Sequence, residues 1–242
     1  MKSIVALAKD VLRPLYNRAV VLPRLHLSYR KLSPAEAFRR VYASKAWGNA
    51  GEFDSGLGSI GNLADEYCRF VVDFIRSHNI KSVADLGCGD FRIGHRIMAE
   101  SGADYVGVDI VPELIERNRR QFPGVRFECL NLLTDNLPAA DLCLIRQVFQ
   151  HLSNAEIQSA LQNISHYPAA LISEHVPAFP RSLNRDKPHG PDIRVFWGSG
   201  IYLEHPPFSC PIDHSWEIPI RIPGLRDEIL RTVLISSRRS PE

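Results

Sequence analysis

Two rhythms of apolar positions alternate along the chain. Short apolar runs, SVADLG (82–87), YVGVD (105–109), VRFECL (125–130), DLCLIR (141–146) and AALISEH (169–175), are separated by stretches of helical period. One such stretch runs through Ile93, Ile97 and Met98. Another opens at Pro112, a residue suited to the first position of a helix. A third is announced by Ser153 and Glu156, spaced as a capping box. Strands and helices in this order predict a parallel sheet wrapped on both faces. Ahead of it, Leu63, Tyr67, Phe70, Val71, Phe74 and Ile75 fall on one helical face, and Ala35 to Tyr42 also reads as helix. Ile4, Val5, Ala8, Val11, Leu12, Leu15 and Tyr16 form a further stripe, interrupted by Pro14. Residues 176–225 break the rhythm. They hold nine of the seventeen prolines, which predicts loops, and WEIPI (216–220) with LRTVLISS (230–237) then closes the sheet. The expected fold is α/β: a doubly wound, mostly parallel seven-stranded sheet with an N-terminal helical extension. The expected boundary separates an arm and lid (1–60) from the sheet domain (61–242).

Composition changes this picture little, but charge distribution changes it at one end. Residues 1–46 hold ten Lys/Arg against Asp10 and Glu36, a net +8, which leaves −6 for the rest of a chain totalling +2. A basic amphipathic arm suits weak contact with an anionic membrane surface through residues 1–18, or docking on the domain itself. No apolar run nears the ~20 residues that span a bilayer. The stretch IVALA is stopped by Lys9 and Asp10, too early for a secretion signal. The five cysteines are odd in number and form no CxxC, which fits a reducing compartment. A cytoplasmic protein is expected, peripheral to the inner face of the membrane if the arm attaches there. Nucleic acid is not expected as a partner, because the body is acidic and the arm lacks interleaved stacking aromatics.

The chemistry is concentrated at strand ends, where open parallel sheets bind ligands. The first strand ends in Asp85-Leu86-Gly87-Cys88-Gly89-Asp90, whose glycines allow a tight turn and close backbone approach before a helix N-terminus. The second ends in Asp109, 22 residues after Gly87, where a carboxylate can accept both hydroxyls of a ribose. A dinucleotide fingerprint would need glycine at position 92, which is Arg92. Asp85 instead suits a ligand with a cationic amino group. VADLGCGD, GVDIVPELIERN and LPAADLCLIRQVFQHLSN resemble the motifs of class I, Rossmann-like S-adenosylmethionine (SAM)-dependent methyltransferases. The flanks WG…SGLGS, NRDKPHGPD and SGIYLEHPPF resemble a bacterial subgroup acting on small molecules or sugars.

The resemblance implies SAM as cofactor, with Asp85, Gly87 and Gly89 around its methionine end. It implies Asp109 on the ribose, Ile110 against the adenine, Asn131 and Leu132 after the third strand, and Gln147 after the fourth. The usual third glycine is Phe91, which either narrows the turn or packs on the ligand. A methyl acceptor hydroxyl needs a base. His151 is the first candidate and Glu174 the second, while a cap for the helix at Ser153 is the competing role for His151. Arg146 suits an acidic group on the acceptor or a neighbouring carboxylate. Tyr202, Glu204 and His205 are expected to line the acceptor pocket. His205, Cys210, Asp213 and His214 lack a familiar metal-ligand spacing, so no metal is expected. The expected function is O-methylation of a small molecule or a sugar or polysaccharide precursor. A non-catalytic SAM-binding regulatory module and an aminopropyl transferase are the alternatives.

Overall fold

The computed structural model describes residues 20–48, 53–220 and 228–237. The stripe at 4–16 and the segment 1–18, expected to contact a membrane surface, lie outside the described residues. Helix α1 spans Leu22–Tyr29 and α2 spans Pro34–Ala43. The second is started by a capping box, Ser33 with Glu36, and has proline in its first turn. A 3-10 turn at Leu57–Ser59 leads into α3, Gly61–Ser77.

Strands β1 (Ser82–Leu86), β2 (Asp104–Asp109), β3 (Arg126–Cys129), β4 (Leu142–Arg146) and β5 (Ala169–Pro177) fall within two residues of the five apolar runs, all but β5 within one. Between them lie α4 (Arg92–Ser101), α5 (Pro112–Gln121) and α6 (Asn154–Asn163). A two-stranded parallel pair follows, β6 (Ser182–Leu183) with β7 (Ser199–Gly200), and then β8 (His214–Ile220) and β9 (Glu228–Ser236).

The main sheet has seven strands in the order β3-β2-β1-β4-β5-β9-β8. The first five are parallel, and β9 runs antiparallel between β5 and β8. The expected fold is therefore borne out. After β1 the chain winds outward to β3 and then returns to place β4 on the other side of β1. The resulting crevice beyond the carboxyl ends of β1 and β4 is where such sheets take ligands.

Each face of the sheet buries its own core. On one face Tyr67, Val71, Phe74 and Ile75 of α3 pack with Ile97 and Leu144. On the other, Phe149, Ile157 and Ala160 pack with Ile145 and Ile172. Fully burying a side chain of this size contributes roughly 1.5–3 kcal/mol, so these layers fix the strand ends rigidly. Helices α1 and α2 form a separate cap: Tyr29, Ala37 and Val41 pack together, and Tyr42 packs on Val111 and Leu114. Among the described residues no helix is long and apolar enough to cross a membrane.

Candidate active site

A cavity of about 820 Å³ opens at the crevice. Asp85, Gly87, Gly89, Asp109, Ile110, Asn131, Leu132 and Gln147 all line it, as does His151. Its roof comes from the N-terminal cap, through Phe38, Tyr42, Trp47, Ser55 and Gly58.

The turn after β1 is built from backbone that only small or strained residues adopt. Gly87 and Gly89 have φ of 81° and 55°. A Cβ on Gly89 would come within 2.4 Å of the Ser55 hydroxyl. The N–H groups of Gly87 and Cys88 both donate to Val108 O. The fully buried Asn118 of α5 donates its amide to Gly89 O at 2.8 Å. Nothing in the sequence beyond an asparagine on the inward face of a helix pointed to that role.

Phe91 also has positive φ, 61°, where left-handed backbone favours glycine. Its ring lies fully buried against Phe127, Phe122 and Tyr105, with centroids 4.8 to 5.6 Å apart. It does not reach the cavity, so the expectation that it packs on a ligand is corrected. The close approach of helix to sheet is instead made possible by Gly94, where a Cβ would meet the Phe91 ring at 2.5 Å and Asp85 Oδ2 at 2.7 Å.

Two buried carboxylates face the cavity. Asp109 accepts N–H groups from Gly89 and Val111, one on each oxygen, both at 3.1 Å. A carboxylate offers about four lone-pair sites, so two remain for ribose hydroxyls. Burial pushes its pKa up to about 6 against the pull of those N–H groups. Asp85 accepts from the Tyr105 hydroxyl at 3.0 Å, and burial pushes it up to about 7. Both raised values reflect charge taken out of water without full compensation. Asn131 uses Oδ1 to accept the Leu133 N–H at 2.9 Å, which shapes the turn and leaves that oxygen a second lone pair.

Residues 53–59 are latched over this floor. Ser55 N–H donates to Asp90 Oδ2 at 3.1 Å, and Asp90 N–H donates back to Ser55 Oγ at 2.9 Å. Arg146 donates to Gly58 O, and the Gln147 side chain fills the space a Cβ on Gly58 would need.

His151 sits in a 3-10 turn, Phe149–His151, after β4. Its Nδ1 lies 3.2 Å from Gly190 O, a pure acceptor, so Nδ1 carries the proton and Nε2 the lone pair. Gln150 Nε2 is 3.4 Å from that lone pair. The ring lies 4.7 Å from Trp47, whose indole N–H donates to Pro191 O. Burial, then the Lys187 charge, lowers the imidazole pKa to about 3. His151 is not the cap of α6; Ser153 is, in a capping box with Glu156.

Glu174 is placed differently from its expected catalytic role. It does not line the cavity; its carboxylate accepts the N–H groups of Phe149 at 2.7 Å and Gln150 at 3.1 Å. The fully buried Arg194 grips the same turn from its carbonyl side, donating to Phe149 O, Gln150 O and Leu152 O. Glu174 is thus scaffold for the turn that carries His151. Tyr202, Glu204 and His205 do not line the cavity either. Glu204 is paired with Arg231 at 2.8 Å, and the Tyr202 hydroxyl donates to Pro177 O. In their place the structure brings in His175 and Glu228, 2.5 Å apart on β5 and β9, which line the cavity together. Among the described residues no group of three His, Cys, Asp or Glu is arranged to hold a metal ion.

Residues 84–168, about a third of the chain, match a family described as a methyltransferase domain. No curated protein sequence matches the chain. Among solved structures it is similar to coclaurine N-methyltransferase bound to N-methylheliamine and SAH, at 13% identity and a TM-score of 0.54, covering 95% of this chain and 92% of that one. It is similar to the methyltransferase domain of bacterial CtHen1-CN at 15% identity and TM-score 0.52, covering 72% and 100%. It is also similar to the N-methyltransferase NodS from Bradyrhizobium japonicum WM9 at 12% and 0.51, covering 71% and 97%. At these identities the likeness shows the fold, which is the Rossmann-like fold of class I methyltransferases.

Proposed function

We propose that this chain is a SAM-dependent methyltransferase that methylates a hydroxyl group of a small molecule, with a sugar or polysaccharide precursor as the favoured class. The observation that carries the reading is the cavity floor. A glycine turn and two buried carboxylates sit at the β1/β4 crevice, with Asp109 keeping acceptor sites for a ribose. When bound, SAM supplies a methyl group activated by a sulfonium. The residues present fit it: Asp85 faces the ammonium of the methionine end, Asp109 the ribose, Ile110 and Leu132 the faces of the adenine, and Asn131 its edge. Gln147 and residues 53–59 close over it and exclude water. The neutral His151, its ring tilted against Trp47, presents the Nε2 lone pair to the acceptor hydroxyl. A pKa near 3 suffices there, because the oxygen becomes strongly acidic only as it gains the methyl.

An acceptor screen read by SAH formation tests this. With an accepted substrate, His151→Gln should lower turnover by ~10²–10⁴-fold and leave SAM affinity unchanged. SAM binding with no SAH formed from any acceptor would instead support the non-catalytic module.

A further inference from the structure

Resting on that reading of the cavity, we infer that Arg146 binds the α-carboxylate of the cofactor's methionine end, beside Asp85 on its α-ammonium. Asp85 is in register with Leu144 on the adjacent strand, and Arg146 lies two residues further along β4. Strand alternation therefore puts both side chains on the same face of the sheet, at neighbouring strand ends. An α-ammonium and α-carboxylate share one carbon, so a site that reads both needs an anion and a cation this close.

Arg146 is the one lysine or arginine among the described residues lining the cavity. Its guanidinium is held from two sides, donating to Gly58 O and lying 4.8 Å over the Tyr67 ring. Its Nε is buried and has no hydrogen-bond partner among the described residues. No carboxylate among the described residues forms an ion pair with it. A buried guanidinium with an unmet N–H is costly unless an anion completes it. Carboxylate is the anion whose geometry suits guanidinium in a bidentate pair. The consequence is selectivity: the site should reject adenosyl ligands that keep the amine and lack the acid, which argues against aminopropyl transfer.

The test is a thermodynamic cycle read by calorimetric titration, with wild type and Arg146→Gln each titrated with SAH and with decarboxylated SAH. Loss of the Gly58 contact weakens both ligands alike and cancels in the cycle. Wild type should prefer SAH by about 10- to 100-fold, as a charge-assisted pair would give, and the variant by less than about threefold. Arg146→Lys, which keeps the charge without the fork, should fall between them, and serves as the variant if R146Q does not fold. Equal binding of the two ligands by wild type, or an undiminished preference in a folded variant, overturns the assignment. Binding of neither ligand by wild type removes the cofactor reading itself.

Discussion

Cofactor affinity should rise steeply with pH, for a reason visible in the cavity floor. Without ligand, Asp85 and Asp109 are held at about 7 and about 6 by burial. Their raised values mean that the folded protein binds more protons than the unfolded chain over this range, so the ligand-free protein loses stability as pH rises from about 4 to 7. A ligand that brings an ammonium to Asp85 and hydroxyl donors to Asp109 favours the ionised forms and pulls both values down. Binding must then expel whatever protons the carboxylates hold. If both must be ionised, those two values give an affinity gain of about 100-fold, or about 2.7 kcal/mol, between roughly pH 5.5 and 7.5. Near pH 6.5 about one proton should leave per ligand bound. Titration with SAH in buffers of different ionisation enthalpy reads affinity and proton release together. An affinity constant within about threefold across that range, with no buffer dependence of the heat, would refute the reasoning.

Asp109→Ala should weaken SAH binding by roughly 2–4 kcal/mol, since hydrogen bonds to a charged group contribute ~1.5–3 kcal/mol each and do not simply add; an unchanged dissociation constant in a folded variant removes Asp109 from the site. Amide exchange in residues 53–59 should slow when SAH is added, because the Ser55–Asp90 latch must open for entry and close over the ligand; equal exchange with and without ligand contradicts a lid. Arg194→Met removes the guanidinium that braces the turn and leaves the buried Gln150 and Leu152 carbonyls without its N–H groups, so chemical denaturation should show a loss of ~3–5 kcal/mol. A loss below ~1 kcal/mol would mean the turn at Phe149–His151 is held by other contacts.

The sheet was legible because β1, β2, β4 and β5 are largely buried on both faces and read as short apolar runs between turn residues, while the edge strand β3 buries only Phe127. The helix starts at Ser33 and Ser153 were legible because the capping box is local chemistry. Helix α1 was not, since LPRLHLSY is short, mixed in polarity and stabilised by packing from outside. The cavity floor followed from strand ends, which local pattern locates. The misplaced Glu174 shows where that logic stops. Successive residues of a strand face opposite sides, so Glu174 turns to the Phe149 turn while His175 turns to the cavity. Which of the two faces a ligand depends on register with β4 and β9, a long-range property. Phe91 shows the same limit: only the packed structure reveals that Gly94 provides the room its ring requires.

The roof and floor of the cavity are far apart in sequence. Trp47 bonds to Pro191, 144 positions later, and His26 to Asp192, 166 positions later. During synthesis the roof leaves the ribosome first, and its contacts with Pro191 and Asp192 cannot form until the loop after β5 follows it. At ~5–20 residues per second that delay is roughly 8–30 s. Throughout it Trp47 and His26 are without these partners, while Tyr29, Ala37 and Val41 can already pack together. A nascent chain stalled before Pro191 would own the whole glycine turn and both carboxylates, yet lack the contacts that hold Trp47 over His151.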